Sequence, residues 1–515
     1  MIGSLSAATL RAEDAPAPIA APPAEYAAVA EKILAAAKEG TEASRKLEYL
    51  CDRIGPRLSG SAELEKAIAW AVEEMQKDGL VNVKAEPVMV PKWVRGKEWA
   101  RMVAPREAEL RMLGLGGSIA TPPEGITADV LVVPSVEELR AMGPGAAKGK
   151  IVVFNYAMPK YDEKTGSGYG RTVRYRSNGA TWAAEAGAVA CLVRSVTAAA
   201  IASPHTGAMR YGDDPKIPRI PAAAITIEDA EMMARLQARG IPVRVTLYME
   251  AKDMGMAPSA NVVAELRGRE KPDEIVIVSG HYDSWDVGHG AHDDGGPSIA
   301  AWEAVALLKR LGLQPRRTIR VVLWTNEENG LKGALTYEKD HEAELSKTVA
   351  AIEGDSGVFA PQGFSLQMPA PANEDEPGIA VIAGSTSAPA AKPAEGGSNP
   401  AGTGHAHDEP PRRREPASNP KTDASKAQLT SLLSAMKPIG ATKVSVGYSG
   451  ADIGGLAKYG VVCFGLDVEG SRYFDFHHCA NDTFDKVDTK DLNDCVAALA
   501  YLSYVLADLE TPLGR

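Results

Sequence analysis

Ile275-Val276-Ile277-Val278-Ser279-Gly280-His281-Tyr282-Asp283 opens on an unbroken apolar run and reaches a histidine three residues later. A strand with one wet face alternates apolar and polar side chains, whereas a strand covered on both faces in a parallel sheet is apolar throughout. The run therefore predicts a central parallel strand with His281 at its end. The pattern recurs: Ile319 to Trp324 leads into Thr325-Asn326-Glu327-Glu328, Val349 to Ile352 into Glu353-Gly354-Asp355, and Val461 to Phe464 precedes the segment ending in Phe476-His477-His478. Between the first two runs, Pro297 sits in the first turn of a helix that carries Ile299, Trp302, Val305 and Ala306 on one face. The fold class is α/β, with a mixed, largely parallel sheet flanked by helices. Polar residues repeatedly fall past the carboxyl ends of its strands, where open α/β sheets bind their ligands.

Those polar residues are the types that two close divalent cations require: histidine nitrogens and carboxylate oxygens from several segments, one carboxylate shared, and another left free as a general base. His281, Asp293, Glu328, Asp355 and His478 form a candidate metal set. With one of them bridging, each metal has three protein ligands and an open position for water, as catalytic zinc sites do. Asp293 is the natural bridge, and Asp294 supports its turn. Glu327 and Glu328 are adjacent at the end of an apolar strand, so their side chains diverge; we assign Glu328 to metal and Glu327 to proton transfer. Asp283, two residues beyond His281, is placed to hold the imidazole in its metal-binding tautomer. His477 is placed to donate to a developing oxyanion or to support its neighbour. These residues point to a hydrolase.

Other histidines carry blander expectations. His289 and His292 share the loop of Asp293 and read as neighbours rather than ligands; His205, in Ser203-Pro204-His205-Thr206-Gly207, reads as a turn residue that reaches substrate only if its segment folds over the cleft. The loop Tyr448-Ser449-Gly450-Ala451-Asp452 is a candidate for substrate contact.

The chain has 515 residues, 45% of them hydrophobic, which predicts a globular protein of more than one domain. A net charge of -11 and the lack of a basic run long enough to track phosphates exclude a nucleic-acid partner. Arg412-Arg413-Arg414 is followed at once by Glu415 and reads as a solvated patch. Five scattered cysteines, Cys51, Cys191, Cys463, Cys479 and Cys495, make neither a CxxC pair nor a disulfide framework. No apolar run approaches the roughly twenty residues of a membrane span.

Residues 1–23 read as a tail or the remnant of a signal peptide. From Glu25 to Gly79 two helical patterns flank Gly55-Pro56-Arg57-Leu58-Ser59-Gly60-Ser61. Short strands and an alanine-rich helix fill residues 119–254 without contributing a candidate ligand, which predicts an inserted domain within a main unit of 24–118 and 255–515. Residues 369–424 are rich in Pro, Ala, Gly, Ser and charge and predict a flexible low-complexity insertion, with His405 and His407 given no site.

Together, the Gly55–Ser61 stretch, Thr121-Pro122-Pro123-Glu124-Gly125-Ile126-Thr127-Ala128, Ser203–Gly207, Ser279-Gly280-His281 with Asp283-Ser284-Trp285-Asp286-Val287-Gly288, and Phe476-His477-His478 resemble the M28 family of co-catalytic zinc exopeptidases, and within it the plasma glutamate carboxypeptidase, or carboxypeptidase Q, group. The resemblance implies a zinc exopeptidase fold with two Zn2+ per chain. His281, Asp293 and Asp355 would hold one ion, Asp293, Glu328 and His478 the other, with Glu327 as base. The choice of His478 over His477 follows the family's spacing to the acidic position, here Asp482. It also implies that residues 119–254 are a protease-associated domain, and that the protein is a secreted or periplasmic homodimer acting as a dipeptidase, carboxypeptidase or aminopeptidase on peptides with free termini. His289, His292, Ala480 and the 369–424 insertion depart from the group's pattern. The competing readings are a non-catalytic binding protein on this scaffold and a single-zinc acyltransferase resembling glutaminyl cyclase.

Overall fold

The computed structural model describes residues 20–369 and 419–514. Its larger sheet has eight strands in the order Val81–Val94, Lys252–Leu266, Arg317–Trp324, Lys271–His281, Thr348–Glu353, Val462–Val468, Pro361–Gln367 and Lys443–Val446. The four central strands run parallel, and they carry the apolar runs of the sequence. Their register sets His281 opposite Trp324, Ser279 opposite Glu353 and Glu353 opposite Gly465, so the carboxyl ends lie level. The loops that follow are thereby brought to one edge of the sheet.

Helices cover this sheet because they are apolar around most of their circumference. In the Gly296–Arg310 helix every residue from Gly296 to Leu308 is buried, and the Thr489–Asp508 helix is buried from Leu492 onward. The first carries Pro297 in its opening turn, where the missing N–H costs nothing. The second is capped by Asp488, which accepts from the amides of Lys490 and Asp491. Ala24–Glu39 and Ala62–Lys77 are the two helices expected around the Gly55–Ser61 turn, with a short helical segment, Ala43–Ile54, between them.

A second eight-stranded sheet orders Ala108–Leu110, Glu98–Ala104, Arg244–Met249, Ile126–Val133, Ile151–Phe154, Ala190–Arg194, Ala222–Ile225 and Met112–Gly114. It has cores of its own, around Met102, Ile151, Leu192 and Met233 on one side and Phe154, Tyr175 and Val193 on the other. This sheet takes in three strands upstream of the boundary expected at residue 119, because Glu98–Ala104 pairs with Arg244–Met249 and cannot be separated from it. The low-complexity segment differs too: residues 370–418 lie outside the described residues, with His405 and His407 among them, while Pro420–Leu433 is a helix capped by Asn419. Residues 1–19 likewise lie outside. No described helix is long and apolar enough to cross a membrane.

Candidate functional site

His281 is the last residue of its strand, and its backbone N–H donates to Asp294 Oδ2 at 2.9 Å. Its Nε2 faces Asp293 Oδ1 at 3.4 Å and Asp355 Oδ1 at 3.6 Å. On the other side of Asp293, His478 Nε2 lies 3.2 Å from Oδ2 and 3.0 Å from Glu328 Oε2. The five expected ligands thus converge, with the two Asp293 oxygens turned toward different histidines. Ligand atoms of His281, Asp293 and Asp355 lie within 4.8 Å of one another, as do those of Asp293, His477 and His478. His477 Nε2 is farther from Asp293 Oδ2, at 3.9 Å, and its ring stacks on His478 with centroids 3.5 Å apart.

Asp293 Oδ2 and Glu328 Oε1 are buried without a hydrogen-bond partner, a costly state for a carboxylate oxygen unless a cation is available to it. Burial pushes the Glu328 carboxyl up to about 7, the charge of Asp293 adding to the shift. It also raises Glu327 and Asp294 well above the usual carboxylate range. Asp293 runs the other way: burial opposes its charge, but the imidazoles of His281 and His478 beside it hold it well below that range. Histidine nitrogen and carboxylate oxygen in this density, with unpartnered oxygens pointing inward, suit zinc and comparable divalent ions.

The loop carrying Asp293 is fixed from two sides. Asp482 accepts the amides of His292 and Asp293 at 2.7 and 3.0 Å. Arg57, fully buried, donates to the carbonyls of Tyr282, His289 and Gly290 at 2.7, 2.7 and 2.9 Å. Gly290 has φ 58°, and a Cβ there would lie 2.4 Å from the Ser284 Cβ, so only glycine permits this turn.

Asp283 departs from expectation. Its carboxylate stands 3.9 Å from His281 Nδ1, and it is its backbone carbonyl, at 3.0 Å, that holds the imidazole. The carboxylate instead accepts from Ser59 Oγ and from the backbone N–H of Glu327, both at 3.0 Å. A backbone that curls back at residues 281–283 puts the carbonyl where the side chain was expected, and frees the side chain to fix the Glu327 turn.

His292 is no ligand: it is stacked between Phe359 and Phe476, at 4.3 and 5.0 Å between centroids, and burial depresses its pKa to about 4. His289 is half-exposed near Asp52. His205 is buried, with Nδ1 2.7 Å from the His477 carbonyl, so it fastens the second sheet to the 476–479 loop. Cys479 is a buried free thiol pushed up to about 11, unsuited to nucleophilic attack. The 448–452 loop is anchored by Glu353, which accepts the amides of Ala451 and Ile453 at 3.0 and 2.9 Å.

Sequence reasoning missed Arg176. It rises from the Tyr169–Glu185 helix beside the second sheet, and its guanidinium lies 3.2 Å from His478 Nδ1 and donates to the Tyr169 hydroxyl at 2.9 Å. No local pattern marks it, since its partner is 302 residues away.

Residues 261–406 match the sequence profile of Peptidase family M28. Carboxypeptidase Q of Rattus norvegicus is 43% identical over 495 residues, covering 96% of this chain and 91% of the relative. The crystal structure of a peptidase M28 precursor from Shewanella amazonensis SB2B superposes with a TM-score of 0.80 at 32% identity, over 95% of this chain and 98% of that one. A zinc aminopeptidase from Bacillus subtilis shares the fold, with a TM-score of 0.56 at 20% identity, over 90% of this chain and 94% of its own.

Proposed function

The chain belongs to peptidase family M28 and is a metallopeptidase, and from that premise we propose that it is a two-zinc exopeptidase hydrolysing dipeptides or short peptides. The observation that supports this most directly is Asp293, whose two oxygens face His281 and His478 from opposite sides. His281, Asp293 and Asp355 would hold one ion and Asp293, Glu328 and His478 the other. Ions bound there would bring a water to a pKa of about 7 and polarise the scissile carbonyl.

The chain's own groups supply the rest. Glu327 takes the proton of the attacking water and passes it to the leaving amine; its burial, which raises its pKa, suits a group that must hold that proton transiently. Asp283 fixes the Glu327 backbone and so aims the carboxylate. His477, kept neutral by burial, is placed to donate to the oxyanion. We read the second sheet as the inserted protease-associated domain, and take secretion and homodimer formation from family likeness. A binding protein would not need the full ligand set together with Glu327, and a single-zinc acyltransferase would not need both ends of Asp293.

The test combines metal content with hydrolysis of a dipeptide panel, comparing the intact protein with Glu327→Gln. Two zinc ions in both proteins, with turnover lost only in the variant by about 100-fold or more, supports the reading. One ion per chain, or unimpaired turnover in the variant, sinks it.

A further inference from the structure

His205 and Thr206 lie in the loop between the Ala190–Arg194 and Ala222–Ile225 strands of the second sheet, yet they grip the turn that carries His478, beyond the Val462–Val468 strand of the larger one. We propose that these two residues are a clasp for one of the two ions: His205 is a positioning residue that, with the backbone of Thr206, holds His478 in its ligating place. The ion shared by Asp293, Glu328 and His478 is then held from both sheets, and the ion at His281 and Asp355 from one. The proposal rests on the two-zinc reading and adds to it the dependence of one ion on the seating of the second sheet.

The clasp is made of four contacts. His205 Nδ1 donates to the His477 carbonyl at 2.7 Å, and the His205 backbone forms an antiparallel bridge with Cys479. The Thr206 amide donates to the His478 carbonyl at 2.9 Å, and the Thr206 carbonyl lies 3.3 Å from His478 Nδ1. A ring whose Nε2 gives its lone pair to an ion carries its hydrogen on Nδ1, and that carbonyl is the acceptor the hydrogen meets. Arg176 Nη1, 3.2 Å from the same nitrogen, can only donate, so in this tautomer the guanidinium walls the ring and Thr206 bonds it.

His478 needs such support. It sits in a turn, outside any helix or strand, with φ 62°, a conformation that a side chain with a Cβ adopts at a cost and keeps only where its surroundings fix it. His205 is suited to fixing it. It is 1% exposed, its own amide donates to Ser195 Oγ at 2.9 Å within the second sheet, and burial pushes its pKa down to about 3, so it is a neutral donor tied at both ends. The ligands on the other side are fixed from the larger sheet and its loops. The Asp283 carbonyl holds His281 at 3.0 Å, Asp482 accepts the Asp293 amide at 3.0 Å, and Asp355 stands two residues beyond the Thr348–Glu353 strand.

Zinc titrated calorimetrically into chelator-stripped parent, Asp355→Asn, His205→Phe and His205→Asn proteins tests this. The Asp355 variant marks the His281 step. His205→Phe keeps the bulk, changes no charge and removes one donor, since the Nε2 of His205 has no hydrogen-bond partner among the described residues. It should weaken the other step by about 10- to 100-fold, the usual loss when a partner behind a metal ligand is removed. The His281 step should keep its parental affinity, which also shows that the variant is folded. His205→Asn, whose amide nitrogen takes the place of Nδ1, should recover most of the loss. Hydrogen exchange on the parent protein needs no variant: by reciprocity, zinc filling the His478 step should slow exchange across residues 203–207, and zinc filling the His281 step should not. Both steps weakened alike in His205→Phe, neither weakened, no difference between the Phe and Asn variants, or exchange at 203–207 indifferent to zinc overturns the clasp and leaves the two-zinc reading standing. A single zinc step in the parent overturns that reading, and the clasp with it.

Discussion

Asp283 Oδ1 accepts the backbone N–H of Glu327 at 3.0 Å, while the carbonyl of the same aspartate holds His281 Nδ1 at the same distance. One residue thus serves two functions through separable groups. Asp283→Ala removes the side chain and leaves the carbonyl. Zinc content should therefore stay at the parental level, while kcat falls about 10- to 100-fold as the Glu327 turn loosens. Elemental analysis beside steady-state kinetics decides it: loss of zinc would show that the carboxylate, not the carbonyl, governs the imidazole.

Asp293 is shared between two histidines, whereas Asp355 faces only His281. Zinc titrated into chelator-stripped protein should bind in two steps. Asp355→Asn should weaken one step and Asp293→Asn both. Because the folded state binds the ions preferentially, stripping should lower Tm and zinc restore it; at a thousandfold excess over Kd the gain is about 4 kcal/mol. An Asp293→Asn protein that keeps one parental-affinity step would break the bridging assignment.

The central strands and the candidates His281, Glu328 and Asp355 stand out in the sequence because their signal is local: an apolar run and the acid or histidine just past it. His478 was separable from His477 only through family spacing, and the two rings do stack face to face. Asp283 was misread for an equally local reason. The spacing of two residues from His281 states proximity, but not whether side chain or carbonyl turns inward. Arg57 and Arg176 could not be assigned from spacing at all, since Arg57 meets Tyr282 across 225 residues and Arg176 meets His478 across 302. His292 shows the converse: it stands one residue before Asp293 and was read as a neighbour rather than a ligand, and its ring is core, clamped by Phe359 and Phe476.

Away from the site, His341 bridges Glu86 and Glu344, with Nε2 2.9 Å from Glu86 Oε2 and Nδ1 3.1 Å from Glu344 Oε2. Burial lowers the imidazole pKa, but the two carboxylates outweigh it and the net shift is upward from 6.5. Glu86 shifts down from 4.5, burial being outweighed by hydrogen bonds from His341 and Lys84. The histidine's contribution is complete below its unfolded pKa and fades as pH rises through the folded value; that of Glu86 is present above its unfolded pKa and fades as pH falls. Both are in force between about pH 5 and 6. His341→Gln should therefore lower Tm most in that window and least near pH 9, measured by calorimetric scans across pH. A Tm decrement independent of pH would show that packing on Tyr337, not the charge pair, is what His341 contributes.

Among the described residues Arg57 has no carboxylate partner in hydrogen-bonding reach; its guanidinium is spent on the carbonyls of Tyr282, His289 and Gly290, with Gly55 at 3.3 Å. Those carbonyls belong to the loop between His281 and Asp293, so the arginine fixes the spacing of two ligands without touching either. Arg57→Met would leave the carbonyls of Tyr282 and His289 without a donor, at about 1–3 kcal/mol each, while that of Gly290 keeps the Gly295 amide at 2.9 Å. That is a large share of the 5–15 kcal/mol by which domains are typically stable. Tm should fall by many degrees, and the surviving folded protein should bind zinc more weakly. Arg57→Lys should not rescue it, because a single ammonium cannot reproduce the planar fork that meets carbonyls on different sides. Full recovery of zinc affinity in the lysine variant would mean that positive charge near Asp482, rather than the geometry of the guanidinium, is what the loop requires.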